Sequence, residues 1–90
     1  MEFTKGENRF YKKQDDKLVA EITYIPKGDN VDVNHTFVDP SLRGQGIAEQ
    51  LVERVVEEME KEGKKIIPSC PYVGKLFERK PEKYGHIHAK

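Results

Sequence analysis

The sequence has a single cysteine, no excess of either charge and no long apolar run, and each of these absences excludes a class of protein. Cys70 alone can form neither an internal disulfide nor a zinc site built from several thiolates. Sixteen basic and 16 acidic residues give a net charge of zero, so no overall positive field attracts nucleic acid or an anionic membrane. No stretch approaches the roughly 20 apolar residues that cross a bilayer, and the amino terminus lacks the apolar core of a signal peptide.

The 90 residues of the chain are enough for one hydrophobic core and too few for two. We therefore expect a single domain over residues 1–90, and we predict a cytoplasmic monomer that binds neither nucleic acid nor a membrane. The charged fraction is 36%, but the apolar residues recur at regular spacing, which favours a folded domain over a disordered one.

Three segments in the first half of the chain have the alternation that is typical of β-strands. The predicted strands lie within residues 7–13, 18–25 and 31–38. Short turns join them, so we expect an antiparallel meander with one buried face. In the third strand, strict alternation places Val31, Val33, His35 and Phe37 on the same face.

The second half of the chain begins with a helical period. Apolar residues at helical spacing predict a long amphipathic helix that begins near residues 43–46 and runs to about residue 62. A short strand at residues 64–69 follows this helix, so a crossover that pairs it in parallel with the strand at 31–38 is expected. A brief second helix is predicted over residues 72–80, and the tail at 84–90 has no interpretable pattern.

Two glycines, Gly44 and Gly46, flank Gln45 where the third predicted strand gives way to the long helix. The amino terminus of a helix exposes unpaired backbone N–H groups and the positive end of the helix dipole, which together suit a phosphate. Arg43 beside the glycines would add a charge-assisted contact to a pyrophosphate. An isolated pair of glycines can also do no more than shape a tight turn, and neither the P-loop nor the dinucleotide fingerprint is present.

The segment RGQGIA at residues 43–48 resembles the acetyl-CoA signature Gln/Arg-x-x-Gly-x-Gly/Ala of the GNAT N-acetyltransferase superfamily. Arg43, Gly46 and Ala48 occupy the three defining positions. The resemblance implies coenzyme A, in the form of acetyl-CoA, as the cofactor, with its pyrophosphate on the turn.

Two further segments extend the resemblance to about residues 8–84. They are His35-Thr36 and PSCPYV at residues 68–73, which are similar to the small single-domain, YjdJ-type branch of the superfamily. The implied fold is α+β, of the three-layer α/β kind, in which the antiparallel meander joins a short parallel strand. The sheet is expected to open where the two parallel strands part, and the pantetheine of the cofactor would lie in that gap.

The resemblance also implies which residues bind the cofactor. The expected contacts are Val38, Arg43, Gly44, Gln45, Gly46, Ile47 and Ala48. Lys75, Arg79 and Lys80 on the predicted second helix form a basic cluster that could meet the 3′-phosphate of coenzyme A. The alternative for these three side chains is a solvated helix surface.

Acetyl transfer to an amine needs a base, stabilisation of an oxyanion and a proton for the leaving thiolate. Cys70 follows the fourth predicted strand and is predicted to accept the acetyl group before passing it on. His35 is the predicted partner base, and Tyr72 the proton donor. The alternatives are a Cys70 that only fills the core and a His35 that is half-buried with a satisfied hydrogen bond.

Three functions are consistent with the sequence. The first is an N-acetyltransferase that moves an acetyl group from acetyl-CoA to an amine. Typical members of the superfamily have amino-terminal helices that wall the acceptor site, and no such helices are predicted before the first strand. We therefore expect an open acceptor groove, which would suit a large acceptor such as a lysine or the amino terminus of a protein. The second is a non-catalytic acyl-CoA binder or sensor, and the third is a structural module that binds a partner through the acidic face of its long helix.

Overall fold

A mixed sheet and three α-helices make up residues 2–89, the part of the chain that the computed structural model describes. The strands are β1 (Thr4–Gly6), β2 (Arg9–Gln14), β3 (Lys17–Lys27), β4 (Asn30–Val38) and β5 (Lys65–Ile67). The helices are α1 (Ile47–Glu62), α2 (Pro71–Arg79) and α3 (Pro81–Tyr84), and one 3-10 turn (Pro40–Leu42) precedes α1.

The strands lie in the sheet in chain order. Neighbours pair in antiparallel fashion from β1 to β4, and β4 pairs with β5 in parallel. The predicted α+β class, the meander and the parallel strand are therefore confirmed. Strand β1 was not predicted, because its three residues, TKG, are too few to show an alternation.

Helix α1 covers the sheet with a continuous apolar stripe. Its buried residues are Ile47, Leu51, Val52, Val55, Val56 and Met59, and they share one hydrophobic cluster with residues of β2 to β5. The helix begins at Ile47, directly after the predicted start at residues 43–46, because Gly44 and Gly46 have φ values of 84° and 73° that a right-handed helix cannot contain. No helix among the described residues is long and apolar enough to cross a membrane.

The tail that the sequence left uninterpreted completes one edge of the sheet. Ile66 N–H donates to the carbonyl of Ile87 at 2.7 Å, and Ala89 N–H donates to the carbonyl of Ile66 at 2.8 Å. Helix α3 precedes this segment, and its Tyr84 ring stacks on Phe77 of α2 with centroids 5.0 Å apart. The tail therefore ties the two short helices to β5.

The helices share one face of the sheet. Residues of α1, α2 and α3 belong to the same hydrophobic cluster, and on the other face of β3 the side chains of Glu21 and Thr23 are half-buried while Ile25 is 48% exposed. The face of β3 opposite the helices is therefore only partly covered within residues 2–89.

A bulge in β4 changes which side chains face the core. The β3 register passes from Val33 directly to His35 and skips Asn34. One extra residue reverses the alternation, so Thr36 and Val38 lie on the core face and the exposed His35 lies on the opposite one. The prediction that His35 shares a face with Val33 is therefore wrong, because strict alternation assumes a strand without a bulge.

Candidate active site

The two parallel strands part soon after they meet. Pairing of β4 with β5 ends at Asp32 and Ile67, and the next link is the hydrogen bond from Cys70 N–H to the Val33 carbonyl, 2.9 Å long. The bulge at Asn34 follows immediately, and such bulges bend and twist a strand. A gap therefore opens between the end of β4 and the segment that leads into α2.

A cavity of about 350 Å³ occupies this gap. It is lined by Thr36, Val38, Leu42, Arg43, Gly44, Gly46, Ile47, Ala48 and Tyr72. The cavity is lined by the predicted cofactor contacts on β4 and on the turn at residues 43–48, which we call the glycine turn. The exception is Gln45, which is exposed. The structure thus brings together residues from the strand, the turn and α2, including the predicted proton donor Tyr72.

Asp39 stabilises the 3-10 turn that leads into the glycine turn. Its carboxylate accepts hydrogen bonds from the Ser41 N–H at 2.9 Å and the Ser41 hydroxyl at 2.7 Å, which closes the 3-10 turn. These bonds, together with Lys17 at 3.2 Å, lower the pKa of Asp39 from 3.8 to about 2. A charged Asp39 therefore fixes the direction in which the chain enters Arg43.

The amino terminus of α1 is open toward the cavity. Gly46 is the N-cap residue, and within residues 2–89 no side chain caps it by a hydrogen bond. A Cβ built on Gly44 or Gly46 would meet no described atom within 4 Å, so the space in front of both is free. Unpaired N–H groups, the helix dipole and the exposed Arg43 fit the pyrophosphate of coenzyme A.

Tyr72 lies between this cavity and a second one of about 460 Å³. The second cavity is lined by Tyr72, Lys75, Glu78 and Arg79. Two of the three predicted 3′-phosphate contacts, Lys75 and Arg79, therefore lie together on one side of α2, whereas Lys80 does not line this cavity. Burial raises the pKa of Tyr72, and the negative charge of Glu49 raises it further. The Tyr72 hydroxyl is consequently protonated at neutral pH, as a proton donor must be.

Cys70 and His35 do not form the predicted pair. The Cys70 side chain is 6% exposed, and its sulfur lies 3.5 Å from the hydroxyl of Thr36, which lines the cavity. The thiol is thus one contact away from the cavity, whereas the side chain of His35 is exposed on the other face of β4. Sequence reasoning missed Thr36 because only the bulge turns it inward.

Glu49 is a second residue that the sequence did not single out. It was assigned to a solvated acidic face, but its carboxylate accepts hydrogen bonds from Lys80 Nζ at 2.9 Å and from the Tyr84 hydroxyl at 2.9 Å. The hydrogen bond from Lys80 is the main reason why the pKa of Glu49 falls from 4.5 to about 2. The donors are more than 30 residues away along the chain, so no local pattern announces them.

Solved N-acetyltransferase structures have a similar fold. A GCN5-like N-acetyltransferase candidate from Staphylococcus aureus is 33% identical, with a TM-score of 0.79 over 98% of this chain and 87% of that one. The ribosomal-protein-S18-alanine N-acetyltransferase from Escherichia coli is 26% identical, with a TM-score of 0.63 over 83% of this chain and 53% of that one. An aminoglycoside N-acetyltransferase solved in complex with CoA shares the fold at 19% identity, with a TM-score of 0.52 over 82% of this chain and 67% of that one.

A family comparison covers nearly the whole chain. The model of the GCN5-related N-acetyl-transferases matches residues 9–87, a range that runs from β2 through the glycine turn to the tail beside β5. The match therefore includes every residue that lines the two cavities. Family model and fold agree, and the chain belongs to the GCN5-related N-acetyltransferase (GNAT) family.

Proposed function

We propose that this protein is an N-acetyltransferase that uses acetyl-CoA and transfers the acetyl group to a primary amine. The observation that carries the proposal is the cavity between the parted strands, which joins an uncapped helix terminus to a protonated tyrosine. Acetyl-CoA has a thioester at one end and a nucleotide with its pyrophosphate at the other. A cavity with an anion site on one side and a proton donor on the other suits such a molecule.

The cofactor would be held by backbone groups more than by side chains. The N–H groups at residues 44–48 and the guanidinium of Arg43 would bind the pyrophosphate. Past Asp32 the edge of β4 that faces the gap has lost its pairing with β5, so its backbone can pair with the amides of the pantetheine. Lys75 and Arg79 would meet the 3′-phosphate in the second cavity.

The bound thioester supplies an activated acetyl group, and the residues of this chain would orient it and manage the protons. We assign Tyr72 the transfer of a proton to the departing thiolate. Cys70 is proposed as a covalent relay: its sulfur would displace the coenzyme A thiolate from the acetyl carbonyl, and the proton it loses would replace, through solvent, the one that Tyr72 gives to that thiolate. The amine would then displace the Cys70 thiolate from the acetyl group, and the proton lost by the amine would restore the thiol. The contact of the thiol with Thr36 at the cavity wall supports this placement, and no proton transfer is assigned to His35.

The acceptor is proposed to be an amine on a protein. The Escherichia coli relative is named for the alanine of a ribosomal protein, which is an amine of this class. The sheet face opposite the helices is half exposed within the described residues, so a large acceptor has access to it. Free amino termini and lysine side chains are the groups to test.

Three measurements on one preparation test the proposal. Calorimetry with coenzyme A measures binding, release of free thiol from acetyl-CoA with a set of peptides measures transfer, and intact-protein mass detects an acetyl adduct. We expect binding, peptide-dependent thiol release and an adduct that is absent from Cys70→Ala. Binding without transfer would identify a sensor, and no binding at millimolar coenzyme A would overturn the proposal.

An adduct-free protein that still transfers acetyl groups would remove Cys70 from the route. Cys70→Ser is the matched variant, because it keeps a small side chain with a hydrogen-bonding atom beside Thr36. If Cys70→Ala and Cys70→Ser both keep wild-type transfer rates, transfer goes directly from the thioester to the amine.

A further inference from the structure

We propose that Lys80 and Lys83 neutralise Glu49 and so keep the amino terminus of α1 free for an anionic ligand. The inference rests on the proposed function, because the ligand concerned is coenzyme A. It assigns a role to lysines that line neither cavity and to a carboxylate one turn into the helix.

Glu49 stands where a carboxylate would normally compete with such a ligand. It is the third residue of α1, and glutamate at this position commonly reaches back to the N–H group of the N-cap residue. The helix dipole also favours a negative side chain in the first turn. A free Glu49 would therefore occupy the N–H groups proposed for the pyrophosphate, or repel the pyrophosphate from them.

In the structure the carboxylate is engaged elsewhere. Its Oε2 atom accepts from Lys80 Nζ at 2.9 Å, from the Tyr84 hydroxyl at 2.9 Å and from Lys83 Nζ at 3.3 Å. Its Oε1 atom accepts from Lys80 Nζ at 3.1 Å. The carboxylate is thus held toward α3, while the N-cap at Gly46 stays without a side-chain bond among residues 2–89.

One of the three donors, Tyr84, is fixed by the core. Tyr84 is 1% exposed and stacks on Phe77, and its N–H donates to the Lys80 carbonyl at 3.1 Å. Lys83 is shared with Glu53, one turn further along α1, at 2.5 Å. Helix α3 and its N-cap residue Lys80 therefore present two positive charges to the carboxylates of Glu49 and Glu53.

A cycle of three variants separates this role from a merely structural contact. Lys80→Met leaves Glu49 under-neutralised, and we expect coenzyme A affinity to fall about three- to tenfold. Glu49→Gln leaves Lys80 unopposed near the ligand, and we expect affinity to rise about twofold. The double variant should return to within about twofold of wild type, because both charges are gone.

A purely structural role of Lys80, or a direct contact of Lys80 with the ligand, would give a different pattern in the same cycle. If the lysine only holds α3 against α1, Glu49→Gln weakens binding as much as Lys80→Met does. If Lys80 touches the ligand directly, its replacement weakens binding equally in the Glu49→Gln background. Either pattern would overturn the inference.

The control is Lys61→Met, which removes a lysine of α1 whose partner Glu57 lies 3.8 Å away near the far end of the helix. Affinity is measured by calorimetry with coenzyme A, and urea unfolding confirms that each variant is folded. Wild-type protein that does not bind coenzyme A would overturn the proposed function and this inference with it. Wild-type binding that Lys80→Met leaves unchanged would overturn this inference alone.

Discussion

Gly46 and Gly63, at the two ends of α1, have the same left-handed backbone, with φ values of 73° and 68°. A Cβ added at either glycine would meet no described atom within 4 Å. Replacing either glycine with alanine should therefore lower the free energy of unfolding by about 1 kcal/mol, because alanine is strained in the left-handed backbone conformation. Only Gly46 lines the cavity. We expect equal stability losses in urea unfolding, and a loss of coenzyme A affinity of about tenfold in Gly46→Ala only. An equal affinity loss in Gly63→Ala would contradict the placement of the ligand.

Tyr72 offers a second test at the scale of one residue. Tyr72→Phe keeps the ring in the cavity wall and removes the hydroxyl that we assign to proton donation. We expect kcat for peptide-dependent thiol release to fall about a hundredfold while KM for acetyl-CoA stays nearly constant. The measurement is a series of initial rates at saturating peptide. A variant that keeps the wild-type kcat would exclude the Tyr72 hydroxyl as the acid.

At the scale of elements, we expect the bulge in β4 to be needed for ligand binding but not for folding. Deletion of Asn34 would make the pairing of β3 and β4 continuous and leave Thr36 and Val38 on the core face. We expect the shortened chain to fold, as shown by a cooperative urea transition, and to lose coenzyme A binding because a regular strand does not bend away from β5.

Asn34→Ala is the matched control for this deletion. It removes the hydrogen bond from the Thr23 hydroxyl to the Asn34 side chain, 2.7 Å long, but keeps the extra residue and therefore the bulge. Coenzyme A binding should survive in this variant. If the deletion also binds coenzyme A normally, the gap does not depend on the bulge.

The elements that could be predicted from the sequence are those whose cause is local. The apolar stripe of α1, its end at Gly63 and the alternation of β3 are all contained within their own segments. The bulge at Asn34, the pairing of the tail with Ile66 and the three donors to Glu49 depend on residues far along the chain. The turn could be located because its glycines stand together in the sequence, whereas the side on which Thr36 lies depends on the bulge, which no local pattern shows.

At the scale of the whole molecule, acid should unfold the protein through a few carboxylates. Those with a lowered pKa in the fold are Asp32, Asp39, Glu49 and Glu58. A lowered folded pKa means that the stabilisation is complete above the unfolded value and is lost as pH falls through the folded one. We expect the urea midpoint to drop between about pH 5 and about pH 2.

Asp39→Asn checks the origin of this acid sensitivity. Its midpoint should be lower than that of the wild type at neutral pH and should change less on acidification, because one titrating group with a folded pKa of about 2 is gone. The two proteins should converge in acid, where Asp39 is protonated. A midpoint that rises on acidification, or parallel curves for the two proteins, would contradict this account.

The order of the strands has a kinetic consequence. Every antiparallel pairing joins two strands that a short turn connects. Strands β4 and β5 are instead separated in the sequence by α1, so their parallel pairing closes a much longer loop and should form later. The meander can form early, and the gap between the strands exists only once the last pairing is made. Coenzyme A would then find no site in the folding transition state, so it should slow unfolding and leave the refolding rate unchanged.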